Sequence, residues 1–390
     1  FLLMITNIKL ANVLGAAIYG IFSYYVAIGE VGINFVRYGR DKSMIRDLIQ
    51  QPEKYDNLVA NTFALSGTNL FIFTIIICLF SKQLDVPVNF ACISIIAATC
   101  LVSLDLQPIY ESIKLMSWHS LYTILQRLLN LLLIWLPLLF LKNISLNYIG
   151  IALILSWGIV LIIQYKEVIT QLCIKIKGNV SAKSLYHLYK SNFLIALSCM
   201  MGVAFGPLIR LILKNYVDDV AVGLYAACFQ IFLISKFILT QIARVGNPMM
   251  AEAGKNDCSK ESRIKFVKKY ILIMLIGSIP FALPLIFCSG IITDLCFVDE
   301  YYEIRSYLPL FGFYTLVMSV GTVFEQFLIS MRKDKTYFTI YVGCSILTVI
   351  MAFALIPLYH TLGGIIAFII PNIIARVLYA SKGLCLLKQS

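Results

Sequence analysis

Long apolar segments separated by short polar connections run through the whole chain. Eleven of these segments reach the length of about 20 residues that a helix needs to cross the hydrocarbon core of a bilayer. The predicted helices span residues 18–36, 57–81, 89–108, 119–141, 146–165, 191–213, 221–245, 270–293, 307–330, 337–357 and 362–382. Residues 1–10 have the pattern of half a helix, and the chain starts without Met. We therefore predict an all-α integral membrane protein of about 12 transmembrane helices, the first of them truncated.

The basic residues fix the orientation of these helices. The even-to-odd connections and the C-terminus hold 23 of the 32 Lys and Arg residues, counting the opening half-helix as the first span. The opposite connections hold five, namely Lys9, Lys82, Lys142, Lys214 and Arg305. Because basic residues collect on the cytoplasmic side, both termini are predicted to be cytoplasmic. If one span had been missed, every later connection would be assigned to the wrong side of the membrane. The unequal distribution of Lys and Arg therefore also supports the number of spans.

Composition excludes several other classes of protein. The 390 residues are 60% hydrophobic and 13% charged, whereas soluble domains are about a quarter charged. The net charge of +12 does not indicate nucleic-acid binding, because the basic residues lie between apolar segments. The 11 cysteines are odd in number and scattered, with no CxxC pair, which argues against a disulfide framework or a zinc site. The histidines His119, His187 and His360 are far apart and suggest no metal site.

Short motifs recur six predicted spans apart. Residues 14–20 open the second span with Gly15 and Gly20, and residues 222–226 open the eighth in a similar way. A second pair of similar segments, 136–152 and 356–367, has the same offset. A parallel repeat of this kind is typical of transporters and predicts two pseudo-symmetric six-helix lobes.

The widest inner connection near the middle of the chain is residues 166–190, and we place the boundary between the lobes there. The N-terminal lobe is predicted to comprise residues 1–178, including the start of the connection, and the C-terminal lobe residues 179–390.

Ionisable residues within the predicted spans are the strongest functional indicators, because a charge in mid-helix costs about 2.5–3.5 kcal/mol on insertion scales. They are Glu30, Arg127, Arg210, Lys236, Glu325 and Arg376. Arg127 and Lys236 are the deepest, roughly 12–13 Å from their inner helix ends at 1.5 Å per residue. Arg210 lies three residues from an outer helix end. We expect the Arg210 side chain to extend to the membrane interface.

Deep cations outnumber deep acids, which predicts a cationic cavity between the lobes that is open to the cytoplasm. Such a cavity would receive an anionic headgroup such as a pyrophosphate, bound by Arg through paired hydrogen bonds and by Lys as a point charge. The candidate binding residues are Arg127, Lys236 and Arg376, with Arg37 at the inner end of the second span. For Arg376 an extension to the inner interface is an equal alternative.

Glu30 and Glu325 have two possible roles that the sequence leaves open. Either carboxylate could couple transport to a gradient of H⁺ or Na⁺, or it could form a structural ion pair with a deep base. The acids are too few and too scattered for an acid–base pair, so we predict that the protein is not an enzyme. We also predict that it has no cofactor and no metal.

Several segments resemble the Wzx family, the bacterial flippases of O-antigen and other lipid-linked oligosaccharides in the MATE-like MOP exporter superfamily. The segments that carry the resemblance are residues 11–15, 19–22, 32–34, 222–227, 332–335 and 357–367. The chain departs from the family at Asn12, where the family often has Arg. Its second span is also short, with 12 residues between Tyr19 and Gly32.

The resemblance implies two V-shaped lobes around a cationic cavity in the bacterial inner (cytoplasmic) membrane. The expected substrate is an undecaprenyl-pyrophosphate-linked oligosaccharide, moved from the inner to the outer leaflet by alternating access for lipopolysaccharide or similar polysaccharide biosynthesis. Membrane lipids, a polysaccharide polymerase and a chain-length regulator are the implied partners, with no nucleic acid.

Other functions fit the sequence less well. A MATE-type drug/cation antiporter has the same architecture, but organic cations need acidic or aromatic pockets. A polymerase or glycosyltransferase usually carries a sizeable outer loop with acids or bases, and the predicted outer loops are short. A scaffold protein has no need of Arg127 and Lys236 at depth.

Overall fold

Helices account for nearly all of the described chain. The computed structural model describes residues 2–41, 44, 48, 55–81, 89–140, 144–170, 180–253, 259–331 and 333–389, and these contain no β-strand. The helices are α1 (Leu2–Arg37), α2 (Tyr55–Phe80), α3 (Phe90–Leu101), α4 (Gln107–Ser112), α5 (Met116–Phe140), α6 (Leu146–Thr170), α7 (Ala182–Met201), α8 (Pro207–Tyr216), α9 (Asp219–Ala253), α10 (Lys260–Phe287), α11 (Ser289–Cys296), α12 (Ile304–Ser330) and α13 (Asp334–Gln389). Short 3₁₀ turns lie at Val102–Leu104, Gly202–Phe205 and Asp299–Tyr301.

Nine helices of the described residues are long and apolar enough to cross a membrane, and α7 with the turn that follows it provides a tenth if this bent pair forms one span. Two of the nine are themselves broken. The backbone leaves the helical region at Gly15 in α1, with φ 72°, and at His360 in α13, with φ 50°. These breaks fall at the predicted first and last connections. With each broken helix counted as two, the helices follow the predicted order of spans.

Polar side chains mark the beginnings of several helices. The side chains of Asn89, Ser181 and Ser259 accept hydrogen bonds from the backbone N–H groups three residues ahead, at Cys92, Ser184 and Ser262. Such caps satisfy amide groups that have no partner within the helix. These local signals set where α3, α7 and α10 start.

The described chain divides into two compact units. Unit 1 contains residues 7–21 and 212–390, and unit 2 contains residues 2–6 and 22–211. The predicted lobe boundary at residue 178 lies outside the described residues, so the division into lobes 1–178 and 179–390 stays a prediction.

Unit 1 is packed around an aromatic cluster. The rings of Phe232, Phe311, Tyr314 and Phe368 lie in mutual contact, with centroid separations of 5.2–6.1 Å for the neighbouring pairs. Phe232 and Phe311 are fully buried. The cluster joins α9, α12 and α13, which also carry the candidate site described below.

Unit 2 combines an apolar core with buried polar groups. Leu106, Ile109 and Tyr110 of the α4 segment pack against α2 and α6. Beside them the buried side chains of Asp105 and His119 are hydrogen-bonded at 2.9 Å. This pair ties the turn before α4 to the first turn of α5, because its two members lie on those two elements.

We predict that Phe311→Ala destabilises the protein much more than Phe313→Ala. Phe311 is fully buried, whereas Phe313 on the same helix is 57% exposed. Loss of a buried ring leaves a cavity and costs about 3–5 kcal/mol. Thermal unfolding of the two purified variants in the same detergent measures the difference, and equal unfolding temperatures would contradict the assigned packing.

Candidate substrate-binding site

Unit 1 contains an open cavity of about 530 Å³ between α9, α12 and α13. Its polar and charged lining residues are Lys236, Thr240, Thr322, Glu325, Gln326 and Arg376. Three of the six candidate residues predicted from sequence, Lys236, Glu325 and Arg376, therefore meet in one place. They come from three different helices, so only the packing of unit 1 brings them together.

Arg376 and Glu325 form an ion pair across α13 and α12. Their side chains are 17% and 23% exposed, so the pair is largely shielded from solvent. Tyr379 and Tyr314 also surround the Arg376 guanidinium, whose carbon lies 6.0 Å from the Tyr379 ring centroid. Mutual neutralisation lowers the cost of both charges in the membrane. Glu325 thus has the ion-pair partner that the sequence could not identify.

Gly321 makes room for the Arg376 side chain. A Cβ atom at position 321 would lie 2.4 Å from both Cβ and Cδ of Arg376. Non-bonded carbon atoms do not approach each other so closely, so a larger residue at position 321 would displace the aliphatic part of the Arg376 side chain. Sequence reasoning gave no signal for this role, because Gly321 and Arg376 lie on different helices.

Lys236 differs from Arg376 in having no ion-pair partner among the residues that the structure describes. Within the described part of the chain its ammonium group forms neither an ion pair nor a hydrogen bond, although it faces the cavity. The neighbouring charges of Glu325 and Arg376 cancel each other. Counted over the lining residues that the structure describes, the cavity therefore carries about one net positive charge, located at Lys236.

Gln326 adds a polar group to the cavity wall that the sequence analysis missed. Its amide is hydrogen-bonded to the hydroxyl of Tyr270 at 2.7 Å, and this hydroxyl also lies 3.0 Å from the carbonyl oxygen of Ala243. The contact fixes the side chain against the wall. The sequence did contain a signal for Gln326, because it is a polar residue next to Glu325 within a predicted span.

The remaining candidates lie in unit 2 and differ in their pairing. Arg127 on α5 is half-buried and makes no ion pair or hydrogen bond with any residue that the structure describes. Arg37 is held by Asp41 at 2.6 Å and donates to the carbonyl oxygen of Val102 at 2.7 Å. Of these two cations, only Arg127 is left uncompensated.

Glu30 forms an ion pair with Arg210, which overturns one expectation. Arg210 does not extend to the membrane interface. It is 9% exposed, and it also donates to the backbone oxygen and hydroxyl of Ser23 at 3.3 Å. The energetic reason is that a carboxylate and two neutral acceptors are available nearby, so the charge is compensated locally.

These features define a multi-pass membrane protein with a polar, positively charged cavity in a helical unit. Comparison with solved structures identifies the fold. A multidrug resistance MATE family transporter of the MOP superfamily, in its inward-facing conformation, matches with a TM-score of 0.75 and 14% identity, covering 100% of this chain and 94% of that one. The lipid II flippase MurJ in an inward closed conformation matches with a TM-score of 0.76 and 14% identity, covering 98% and 84%.

A third similar structure is a MOP superfamily transporter from Pyrococcus furiosus, with a TM-score of 0.63 and 12% identity over 99% of this chain and 94% of that one. The predicted all-α, MATE-like membrane fold is confirmed. The matched structures are described as transporters and a flippase, and at 12–14% identity they show a shared fold.

The family model for polysaccharide biosynthesis proteins matches residues 1–253. The chain belongs to this family, and the resemblance to Wzx-type proteins found from the sequence is confirmed. No curated protein matches the chain.

We predict that Gly321→Ala disturbs the Arg376–Glu325 pair and lowers the unfolding temperature, whereas Gly343→Ala leaves it nearly unchanged. A Cβ at position 343 meets nothing within 4 Å, so this variant is a matched control. Overpacking of this kind costs about 1–3 kcal/mol. Thermal unfolding of both variants in detergent is the measurement. Equal stability would show that the Arg376 stem moves freely away from Gly321.

Proposed function

We propose that the protein is a flippase for an undecaprenyl-pyrophosphate-linked oligosaccharide. It moves the repeat unit of O-antigen or a similar surface polysaccharide from the inner to the outer leaflet by alternating access. The single observation that carries the proposal is the uncompensated charge of Lys236 in a polar cavity. Membership of the polysaccharide biosynthesis family supports the substrate class, and the flippase among the structural neighbours supports the type of transport.

The chemistry of the cavity suits the headgroup of such a lipid. The negative charge of a pyrophosphate would compensate the positive charge of Lys236, because a lysine ammonium attracts phosphate oxygens as a point charge. Gln326, Thr240 and Thr322 place amide and hydroxyl groups on the same wall, where they can hydrogen-bond phosphate or sugar oxygens. The Glu325–Arg376 pair adds polarity with little net charge. The cavity therefore favours a polar anion over an organic cation.

Arg127 is proposed as a second contact to the anionic headgroup. It shares with Lys236 the absence of a carboxylate partner among the described residues, and it lies within a membrane-spanning helix. Arg376 and Arg37 are proposed to act less directly, because each is already bound to a carboxylate. A cavity shared by the two lobes remains a prediction.

A coupling H⁺ or Na⁺ has to compete with an arginine for either candidate carboxylate, Glu30 or Glu325. Glu30 is paired with Arg210 and Glu325 with Arg376. The Glu30 side chain is the more exposed, at 37% against 23% for Glu325. Glu30 is therefore the carboxylate that an ion from the aqueous phase can reach more easily, and we propose it as the coupling site.

The proposed location is the bacterial cytoplasmic membrane, with both termini in the cytoplasm, as the distribution of Lys and Arg predicts. A polysaccharide polymerase and a chain-length regulator are the proposed partners, since they act on the product of this transport step.

The second candidate function is a drug/cation antiporter. The observation in its favour is the close structural match to a multidrug resistance transporter. The charge of the cavity is against it, because Lys236 would repel an organic cation and the acidic residue of the described lining, Glu325, is already paired with Arg376.

We predict that Lys236→Ala and Arg127→Ala each abolish transport while the protein still inserts in the membrane, because each removes an uncompensated cation. Lys236→Arg retains part of the activity. Lys269→Ala is the control, since Lys269 is an exposed cation on α10 outside the cavity. The measurement is surface polysaccharide in the native host after deletion of the gene and complementation with each variant.

The leaflet location of the polyprenyl-linked oligosaccharide is measured in the same strains, together with the efflux of a cationic dye. Repeat units stranded in the inner leaflet of the deletion strain support the flippase. Normal polymer with impaired dye efflux would assign the protein to the drug antiporters. Full transport by correctly inserted Lys236→Ala and Arg127→Ala variants would overturn the binding roles.

A further inference from the structure

The turn that ends α3 in unit 2 is held by side chains from two other segments. The last carbonyl groups of a helix need partners outside its regular hydrogen bonds. Three carbonyl oxygens of this turn accept from side chains at the end of α1 and on α6. The bonds are Arg37 to Val102 at 2.7 Å, Arg40 to Asp105 at 3.0 Å and Tyr165 to Leu104 at 3.1 Å. The turn is therefore a junction at which α1, α3 and α6 are joined.

The carboxylate of Asp105 leads from this junction to a fourth helix, α5, through a histidine. Its Oδ2 lies 2.9 Å from Nε2 of His119, and both residues are buried. Gln164 of α6, which is also buried, faces the same carboxylate. Glu30 and Glu325 are instead bound to arginines, which stay protonated in proteins. The charge of the Asp105–His119 pair can change, because histidine titrates between about pH 5 and 8.

A second carboxylate lies one helical turn away from this pair. Glu167 follows Gln164 by three residues on α6, and Tyr122 follows His119 by three residues on α5, so each couple shares one side of its helix. Oε2 of Glu167 accepts from the hydroxyls of Tyr122 at 2.5 Å and Tyr110 at 2.6 Å. The Tyr110 ring centroid lies 6.1 Å from that of His119. Glu167 therefore adds a second acidic group beside the histidine.

The charges of this region balance when His119 carries a proton. Among the residues that the structure describes, the groups concerned are two guanidinium groups and three carboxylates, namely Arg37, Arg40, Asp41, Asp105 and Glu167. One negative charge is thus left over, and an uncompensated charge is costly where its neighbours are buried. A proton on His119 removes this excess and makes the hydrogen bond to Asp105 charge-assisted.

The other charged residues of the segments from α4 to α6 at this end of the unit have less influence on the pair. They are Glu111, Lys114 and Lys166, which are half-buried or exposed, so that water and salt screen their charges. The hydroxyls of Tyr110, Tyr122 and Tyr165 act as donors in the bonds described above.

We propose that Asp105 and His119 form a proton-binding site, and that the bound proton fixes the end of unit 2 at which α1, α3, α5 and α6 meet. The ligand is one proton from the aqueous phase next to the start of α5, since His119 lies three residues after Met116, the first residue of that helix. Loss of the proton leaves the excess negative charge and weakens the contact between Asp105 and His119. The site is separate from the coupling ion proposed at Glu30.

The consequence for transport rests on the proposed flippase function. Alternating access is largely a rigid-body movement of one half of a transporter against the other, so it depends on lobes that keep their shape. The form with the proton bound, in which the junction is fixed, is therefore the form that transports faster.

Nuclear magnetic resonance of the full-length protein with isotope-labelled histidines measures the proton directly. The chain has three histidines, and His187 and His360 are exposed, so they serve as internal references. Their signals are assigned with His187→Gln and His360→Gln. Asp105→Asn is expected to lower the proton affinity of His119 at least about tenfold, the effect of losing an opposite charge within about 4–6 Å. The titrations of His187 and His360 stay unchanged.

Asp334→Asn is the matched control, because it removes the same carboxylate from an exposed position on α13. Glu167→Gln tests the charge balance, and it is expected to lower the proton affinity of His119 by a smaller factor than Asp105→Asn does. An unchanged titration of His119 in Asp105→Asn would overturn the site. A wild-type His119 that stays unprotonated down to about pH 5 would overturn it as well, and this measurement needs no variant to fold.

Transport at different pH values tests the functional consequence. Proteoliposomes that contain the lipid-linked oligosaccharide extracted from the deletion strain are assayed between about pH 6 and 8. The wild-type rate is expected to fall as the pH rises and the proton leaves His119, and His187→Gln keeps this dependence. In His119→Gln the amide can still donate to Asp105 but cannot titrate, so the dependence is lost.

Equal pH dependence in the wild type and in His119→Gln would show that this proton does not control transport. If the wild-type chain moves no lipid-linked oligosaccharide at any pH, the flippase proposal fails, while the histidine titration still decides whether the proton-binding site exists.

Discussion

An ionisable side chain inside a membrane-spanning helix has to be compensated, because an isolated charge in hydrocarbon costs several kcal/mol. Arg376 meets this requirement through Glu325, and Arg210 through Glu30. Lys236 and Arg127 have no such partner among the residues that the structure describes. Pairing within the described structure does not account for these two charges, and we propose that a bound anion completes their compensation. The proposed binding site follows from this difference between paired and unpaired cations.

The same constraint acts on the backbone. A helix that breaks within a membrane protein frees carbonyl and N–H groups that must find other partners. At Gly15 these partners are side chains of a connection about 285 residues further along the chain, and the 2.8 and 3.0 Å contacts show how closely the two segments match. The turn at Gly15 thus depends on side chains that lie far away in the sequence.

The fold of this protein does not by itself determine its function. Its fold is shared with a multidrug resistance transporter and with a lipid II flippase at nearly equal TM-scores of 0.75 and 0.76, so the architecture does not choose between them. The choice depends on the charge and polarity of the cavity, where Lys236 favours an anion. Membership of the polysaccharide biosynthesis family points in the same direction.

Hydropathy and the spacing of basic residues were sufficient to predict the helices, their order and the membrane class, because burial in lipid acts on each segment separately. They also identified the deep charges and the family. The pairing of those charges required the tertiary structure, since Arg376 lies 51 residues from Glu325 and Arg210 lies 180 residues from Glu30. For this reason the interface role expected for Arg210 was wrong, and the role of Gly321 could not be assigned. Which side chain compensates which charge is decided by packing between helices, and packing leaves no pattern in the sequence of a single chain.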